Sequence, residues 1–180
     1  MEIRNLHIGW SIIALYVLLI FMTIADVVRL MDFFQTFFGI KFNIFLNMLP
    51  FFALVFLLGY ISLIRKERRP FPYLLIILIA ILCSLSMSFL YFPAEKVHLI
   101  EYGVLGGLLY WITSQHKKSV AMCYFIAIIG SFIIGGADEL FQSLFPSRVC
   151  DMRDIIINNY SGLLGAILYS GVLKRQRSDE

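Results

Sequence analysis

Six apolar runs, each long enough to cross a bilayer, constrain this chain more than any other feature: Ile8–Val28, Phe42–Ile64, Tyr73–Tyr91, Glu95–Ser114, Ser119–Leu140 and Asp154–Val172. A hydrocarbon core of roughly 30 Å takes about 20 residues of helix. Unsatisfied backbone groups exclude open strands and loops at that depth. The runs therefore predict an all-α fold, a polytopic membrane helix bundle of about six transmembrane helices. Of 180 residues, 15% are charged, against roughly a quarter in a soluble domain, and so little lies outside the runs that residues 1–180 read as a single membrane domain. Pro50 predicts a kink in the second helix, or a shorter helix starting near Leu49. Arg29–Lys41, with Asp32, four phenylalanines and Gly39, reads as an amphipathic segment lying at the interface. The first run is too long for a usual signal core, and Thr23-Ile24-Ala25 makes a poor cleavage site, so it is expected to stay as an uncleaved helix.

Charge sets the expected orientation. Arg4, Arg65, Lys66, Arg68, Arg69, Lys117, Lys118, Lys174, Arg175 and Arg177 fall on one side of a six-span chain, while Arg29, Lys41, Lys96, Arg148 and Arg153 fall on the other. The positive-inside rule then places both termini in the cytoplasm. The basic residues form short juxtamembrane clusters and not a stripe interleaved with aromatics, which gives no case for nucleic acid. Cys83, Cys123 and Cys150 form an odd set without a CxxC pair and are expected to be unpaired.

Eight of the twelve acidic residues gather at or near the opposite end, six of them on or beside the last three helices. His98, Glu101 and Tyr102 stand at i, i+3 and i+4, one helix face. Asp138 and Glu139 share a face with Gln142, and Asp154 shares one with Asn158. Lys96, Arg148 and Arg153 lie close by in sequence. Ionisable groups within a span are costly and usually line a cavity or the bundle interior. Three helices would thus present polar stripes at one depth, forming an outward pocket of Lys96, His98, Tyr102, Glu139, Gln142, Arg148, Asp154 and Asn158. The simpler reading is that these groups satisfy one another, with Arg148 and Lys96 pairing with Glu139 and Asp154, or that Asp154 merely starts a helix. Gly103 and Gly107, with Ser161 and Gly165, have the small-xxx-small spacing of closely packed helices. His98, Glu101, Glu139 and Asp154 form a conceivable mixed set for a metal, but HExxH and Cys–His spacings are missing, and neither a metal nor a cofactor is expected. Ser143 and Ser147 lie outside any GxSxG, which argues against a serine hydrolase.

At these residues the sequence resembles the VanZ-like family of small bacterial membrane proteins. The shared pattern is Lys96-x-His98 opening a helix, Tyr102, Asp138-Glu139-x-x-Gln142, Pro146-x-Arg148, then Asp154-x-x-x-Asn158 running into a glycine-bearing helix. The resemblance covers roughly residues 91–170. Ser161 stands where a glycine is usual, with Gly162 one step on, so either Asn158 or Asn159 occupies the asparagine position. The resemblance implies a multi-pass protein of the bacterial plasma membrane, related to one conferring low-level resistance to the glycopeptide teicoplanin. Two readings of function follow. In the preferred one, the pocket of a non-enzymatic envelope protein binds an anionic group through Lys96, Arg148 and Arg153, with membrane lipids and a lipid-linked wall precursor as partners. In the alternative, a membrane-embedded enzyme acts on a polyprenyl or phospholipid headgroup, with His98 and Glu139 as catalytic residues. A transporter is disfavoured, because its site would lie near mid-membrane.

Overall fold

The computed structural model describes residues 3–116, 118–144 and 151–174, and every regular element among them is helical. In chain order these are α1 (Ile3–Phe38), α2 (Ile40–Gly59), α3 (Pro70–Phe89), α4 (Pro93–Gln115), α5 (Val120–Gln142) and α6 (Met152–Leu168). The last turns after α2 and α6 widen into π-helical turns, Tyr60–Ile64 and Tyr169–Leu173. Local chemistry explains most of the starts. Prolines occupy the first turns of α3 and α4, where the missing N–H has no helical acceptor in any case. The Ser119 hydroxyl accepts from the Met122 N–H to cap α5, and the Asp151 carboxylate accepts from the Arg153 N–H to cap α6.

One expectation is overturned. Arg29–Lys41 is not a separate interfacial segment, because α1 runs unbroken for 36 residues to Phe38. No glycine or proline interrupts it between Gly9 and Gly39, and the chain turns only at Gly39, whose φ of 55° is left-handed. A helix of that length is about 54 Å long, too long to stand upright within one span. Pro50 sits inside α2, which starts at Ile40, so the longer of the two proposed second helices is the one formed.

Five helical segments are long and apolar enough to span: Leu6–Thr23, Ile40–Ile64, Pro70–Phe89, Val120–Gln142 and Met152–Leu173. The sixth expected span, α4, has the length, 23 residues, but carries Glu95, Lys96 and Glu101. Its polarity is tolerated because α4 packs against α1, α5 and α6 and buries Tyr102, Leu105, Gly106, Leu109, Tyr110 and Ile112. The chain is thus a multi-pass helical membrane protein with its most polar helix in the middle.

The α4–α6 contact explains the glycines. A Cβ added at Gly165 would come within 1.7 Å of the Gly103 carbonyl oxygen, and one at Gly106 within 1.9 Å of the Gly162 carbonyl oxygen. The two backbones touch, as small-residue spacing permits. The α2–α3 hairpin is docked more loosely. Near one end, Ile61, Ile76 and Val172 form a small core, and the Arg65 guanidinium donates to the Val172 carbonyl. Above it, an apolar cavity of about 830 Å³ opens between the hairpin and α4–α6. Trp10 Nε1 donates to His116 Nε2 at 3.0 Å and joins the start of α1 to the end of α4, so that end of the bundle also holds the basic α2–α3 loop.

Candidate functional site

The opposite end collects the polar side chains, in two clusters and not in one. The first lies where α4, α5 and α6 meet. The Tyr102 hydroxyl donates to Asp138 Oδ2 at 3.0 Å, and His98 Nδ1 stands 3.7 Å from the same oxygen and 3.6 Å from Glu101 Oε2. His98, Asp138 and Glu139 each bring one potential ligand atom within 4.8 Å of the others. Asp138 is 0% exposed and Glu139 1%. The cluster reaches the start of α6 through the Asp151 N–H, which donates to Glu139 Oε2 at 3.3 Å. Asn158 is fully buried; Gly135 provides the space, since a Cβ there would lie 3.1 Å from that of Asn158 and 3.4 Å from the Tyr102 ring. Among the described residues, neither amide atom of Asn158 nor Asp138 Oδ1 has a hydrogen-bond partner, and such buried orphans are costly.

The second cluster faces the hairpin. Lys96 is 3% exposed, and its ammonium donates to Asn47 Oδ1 at 2.8 Å and to Asn43 Oδ1 at 3.4 Å. Among the described residues it has no ion-pair partner within 4.0 Å. The neighbouring carboxylate of Glu95 is instead engaged by Arg153, whose guanidinium also lies 3.8 Å from Asp151 and 4.0 Å from Asp154. Glu95 turns back to accept from the Phe92 N–H at 3.2 Å, which ties the helix start and the ion cluster together. The apolar cavity begins one helical turn below Lys96, at Leu99 and Ile100 on α4, and its α2 wall begins at Leu49 and Pro50, just past Asn47.

Of the expected site residues, His98, Tyr102 and Glu139 are brought together, with Asn158 packed against Tyr102. Gln142 is buried on the same face of α5. Asp154 belongs to the Arg153 ion cluster. Lys96 points away from the carboxylates toward α2, and pairs with neither Glu139 nor Asp154. Pro146, Arg148 and Cys150 lie outside the described residues. Cys83 and Cys123 are unpaired, as expected. Sequence reasoning missed Asn43 and Asn47. Their signal was present: two amides at i and i+4 share one face near the start of the mostly apolar stretch Phe42–Ile64.

The chemistry divides accordingly. The first cluster gathers three carboxylates around one imidazole, which suits a cation or a proton and repels an anion. The second holds a buried ammonium on neutral amides above an apolar cavity, and that suits an amphiphile with a negative head. Residues 90–174, from the turn before α4 through α6 and its π-helical turn, match the family model described as VanZ/LLP1. No curated protein and no solved structure gives a match.

Proposed function

We propose, from the premise that α4–α6 of this membrane protein form a VanZ-like domain, that the protein is a non-enzymatic envelope component that binds an anionic lipid. The headgroup sits at Lys96, Asn43 and Asn47, and the hydrocarbon chain enters the cavity between the α2–α3 hairpin and α4–α6. The observation that carries this reading is the placement of Lys96, a buried cation whose hydrogen bonds among the described residues go to the neutral amides of Asn43 and Asn47, one turn above an apolar cavity of about 830 Å³. An ammonium out of water is stabilised by a counter-charge, and a phosphate in contact with Lys96 supplies one. The amide oxygens of Asn43 and Asn47 keep the ammonium in place when the site is empty; Asn43 is itself fixed by donating to Gln35 Oε1 at 3.1 Å, and the Asn47 amide offers N–H donors to a phosphate oxygen when the site is filled. Cavities of roughly 300–1,000 Å³ are the usual size of small-molecule sites, and this one has an apolar lining suited to lipid chains.

With the basic α2–α3 loop in the cytoplasm, the Lys96 end faces outward in the plasma membrane of a bacterium. Lipid-linked wall precursors are anionic amphiphiles present there, and holding them would lower susceptibility to glycopeptides such as teicoplanin. Arg148, in the Pro146-x-Arg148 segment, is a second candidate contact for the headgroup. The test is mass spectrometry of lipids retained by gently purified protein. Wild type is expected to carry a phosphate-bearing lipid, and Lys96→Ala to retain several-fold less. Equal retention by both, or consumption of the bound lipid by the wild type, would overturn the reading.

A second reading, an enzyme acting on a polyprenyl or phospholipid headgroup, draws on His98 lying between two carboxylates. These are Glu101 and Asp138, while Glu139 stands close enough to serve as the proposed partner. An in vitro lipid assay decides it, since turnover abolished by both His98→Ala and Glu139→Gln would favour catalysis over simple binding.

A further inference from the structure

The carboxylate cluster is a separate matter from the Lys96 site, and its geometry supports a conclusion independent of lipid binding. We infer that His98, Asp138 and Glu139 bind a divalent first-row transition-metal ion between α4 and α5. The first ground is spacing. One nitrogen and two carboxylate oxygens already lie within 4.8 Å of one another. Ions bound at about 2.1 Å hold tetrahedral ligand atoms about 3.4 Å apart, so side-chain rotations of about an ångström close the site without moving a helix.

The second ground is charge. Asp138 and Glu139 are buried, and His98 Nδ1 lies 3.6 Å from Glu101 Oε2 and 3.7 Å from Asp138 Oδ2. Carboxylates collected at such a density are stabilised by a cation far more effectively than by an imidazole that is charged only when protonated.

The third ground is an orphaned oxygen. Asp138 Oδ2 is fixed by the Tyr102 hydroxyl at 3.0 Å, while Oδ1 of the same fully buried carboxylate has no hydrogen-bond partner among the described residues. Tyr102 thereby orients one oxygen and leaves the other for a ligand, as hydrogen bonds to metal-binding carboxylates commonly do. The buried Asn158 amide, packed where Gly135 and Tyr102 meet, also lacks a partner among the described residues. It sits on α6 against Gly135, three residues before Asp138 on α5, and so adds an unsatisfied polar group beside the cluster.

A single imidazole with two or three carboxylates favours Mn²⁺ or Zn²⁺ over the all-oxygen preference of Ca²⁺ and Mg²⁺. Full-length protein in detergent, its affinity tag removed, would be stripped with EDTA, equilibrated with Mn²⁺ or Zn²⁺, gel-filtered and assayed for metal by plasma mass spectrometry. Wild type is expected to hold about one ion per chain, and Asp138→Asn and His98→Ala to bind at least about tenfold more weakly. Loading with Co²⁺ is expected to give a visible absorption band that both variants lose. Asp138→Asn preserves an acceptor for the Tyr102 hydroxyl, and Glu139→Gln provides a second nearly isosteric variant should the first not elute as a folded species. Failure of stripped wild type to take up either ion, the result if a proton occupies the cluster instead, would overturn the inference. So would equal uptake by wild type and by folded variants.

Discussion

The two sides of α4 obey opposite packing rules. Toward α6 the helix is stripped to glycine, and the backbones meet at Gly103–Gly165 and Gly106–Gly162 with no room for a methyl group. Toward the α2–α3 hairpin the same helix presents Leu99, Ile100 and Val104 to open space. In a bilayer, helices gain little by hiding apolar surface from one another, since lipid is equally apolar; association rests on close packing and polar contacts. The first interface has both. The second has the Lys96–Asn43–Asn47 contact at one end, the small Ile61, Ile76 and Val172 core at the other, and little between. One side of α4 is therefore fixed structure, and the other is a place where lipid can stand in for protein.

The sharpest test of that contrast is a single methyl group. Gly165→Ala and Gly106→Ala force a Cβ against a backbone carbonyl, which can move only if the helices part. Each is expected to cost at least about 3 kcal/mol, the upper end of overpacking penalties, measured as resistance to unfolding in a detergent titration. Gly136 also lies in a transmembrane helix, but a Cβ there meets nothing within 4 Å. Gly136→Ala is expected to be neutral or to stabilise by up to about 1 kcal/mol. Similar losses in all three would show that the α4–α6 contact has no special standing.

How far the sequence revealed this architecture differs between the same two regions. Helix count and type were legible because bilayer thickness fixes the length of an apolar run, and α3 to α6 begin and end within a few residues of expectation. The extent of α1 was not, because Arg29 and Asp32 look like a membrane boundary, whereas a helix needs a backbone reason to stop, and Gly39 supplies it. Side-chain spacing grouped His98 with Glu101 and Tyr102, and Asp138 with Gln142, since those relations are internal to one helix. It did not reveal that Lys96, two residues before His98, points to a different neighbour. Which helix stands beside which face is a tertiary fact, and only the fold joins residue 96 to residues 43 and 47.

Tyr102→Phe probes the fixed side through a hydrogen bond. Removing the hydroxyl leaves Asp138 Oδ2 without its donor at a fully buried position, with an expected cost of about 1–3 kcal/mol. If the cluster carries a bound cation, adding Mn²⁺ or Zn²⁺ should restore part of that loss. A stability unchanged from wild type would mean that water or a proton already satisfies the carboxylate.

On the open side the expectation reverses. Ala53 and Ala80 line the cavity from α2 and α3, and replacing both by Leu fills space that holds no protein atoms. Stability is expected to change by less than about 1 kcal/mol, since filling replaces lipid contacts with protein contacts of similar worth, while retained lipid falls several-fold. A large destabilisation would show that the hairpin is packed as tightly as α6 and that the cavity is not a lipid site.

The smallest effect belongs to the loop at the hairpin's foot. Glu67 accepts from the backbone N–H groups of Arg68 and Arg69 and pairs with the Arg69 guanidinium at 2.9 Å. That side-chain hydrogen bond is the main reason its carboxyl is pulled down from 4.5 to about 2. A lowered folded-state value means that the ionised form is favoured in the native loop, so its contribution is complete above about pH 4.5 and is lost as pH falls through about 2. The pair lies at the surface with Arg69 half exposed, and surface pairs contribute little. The difference in melting midpoint between wild type and Glu67→Gln is expected to be a degree or so at pH 7 and to vanish near pH 2, with retained lipid the same in both at pH 7. A change in lipid retention would be the informative failure. It would mean that the loop, rather than the Lys96 contact and the filling of the cavity beneath it, sets how far the hairpin stands from α4.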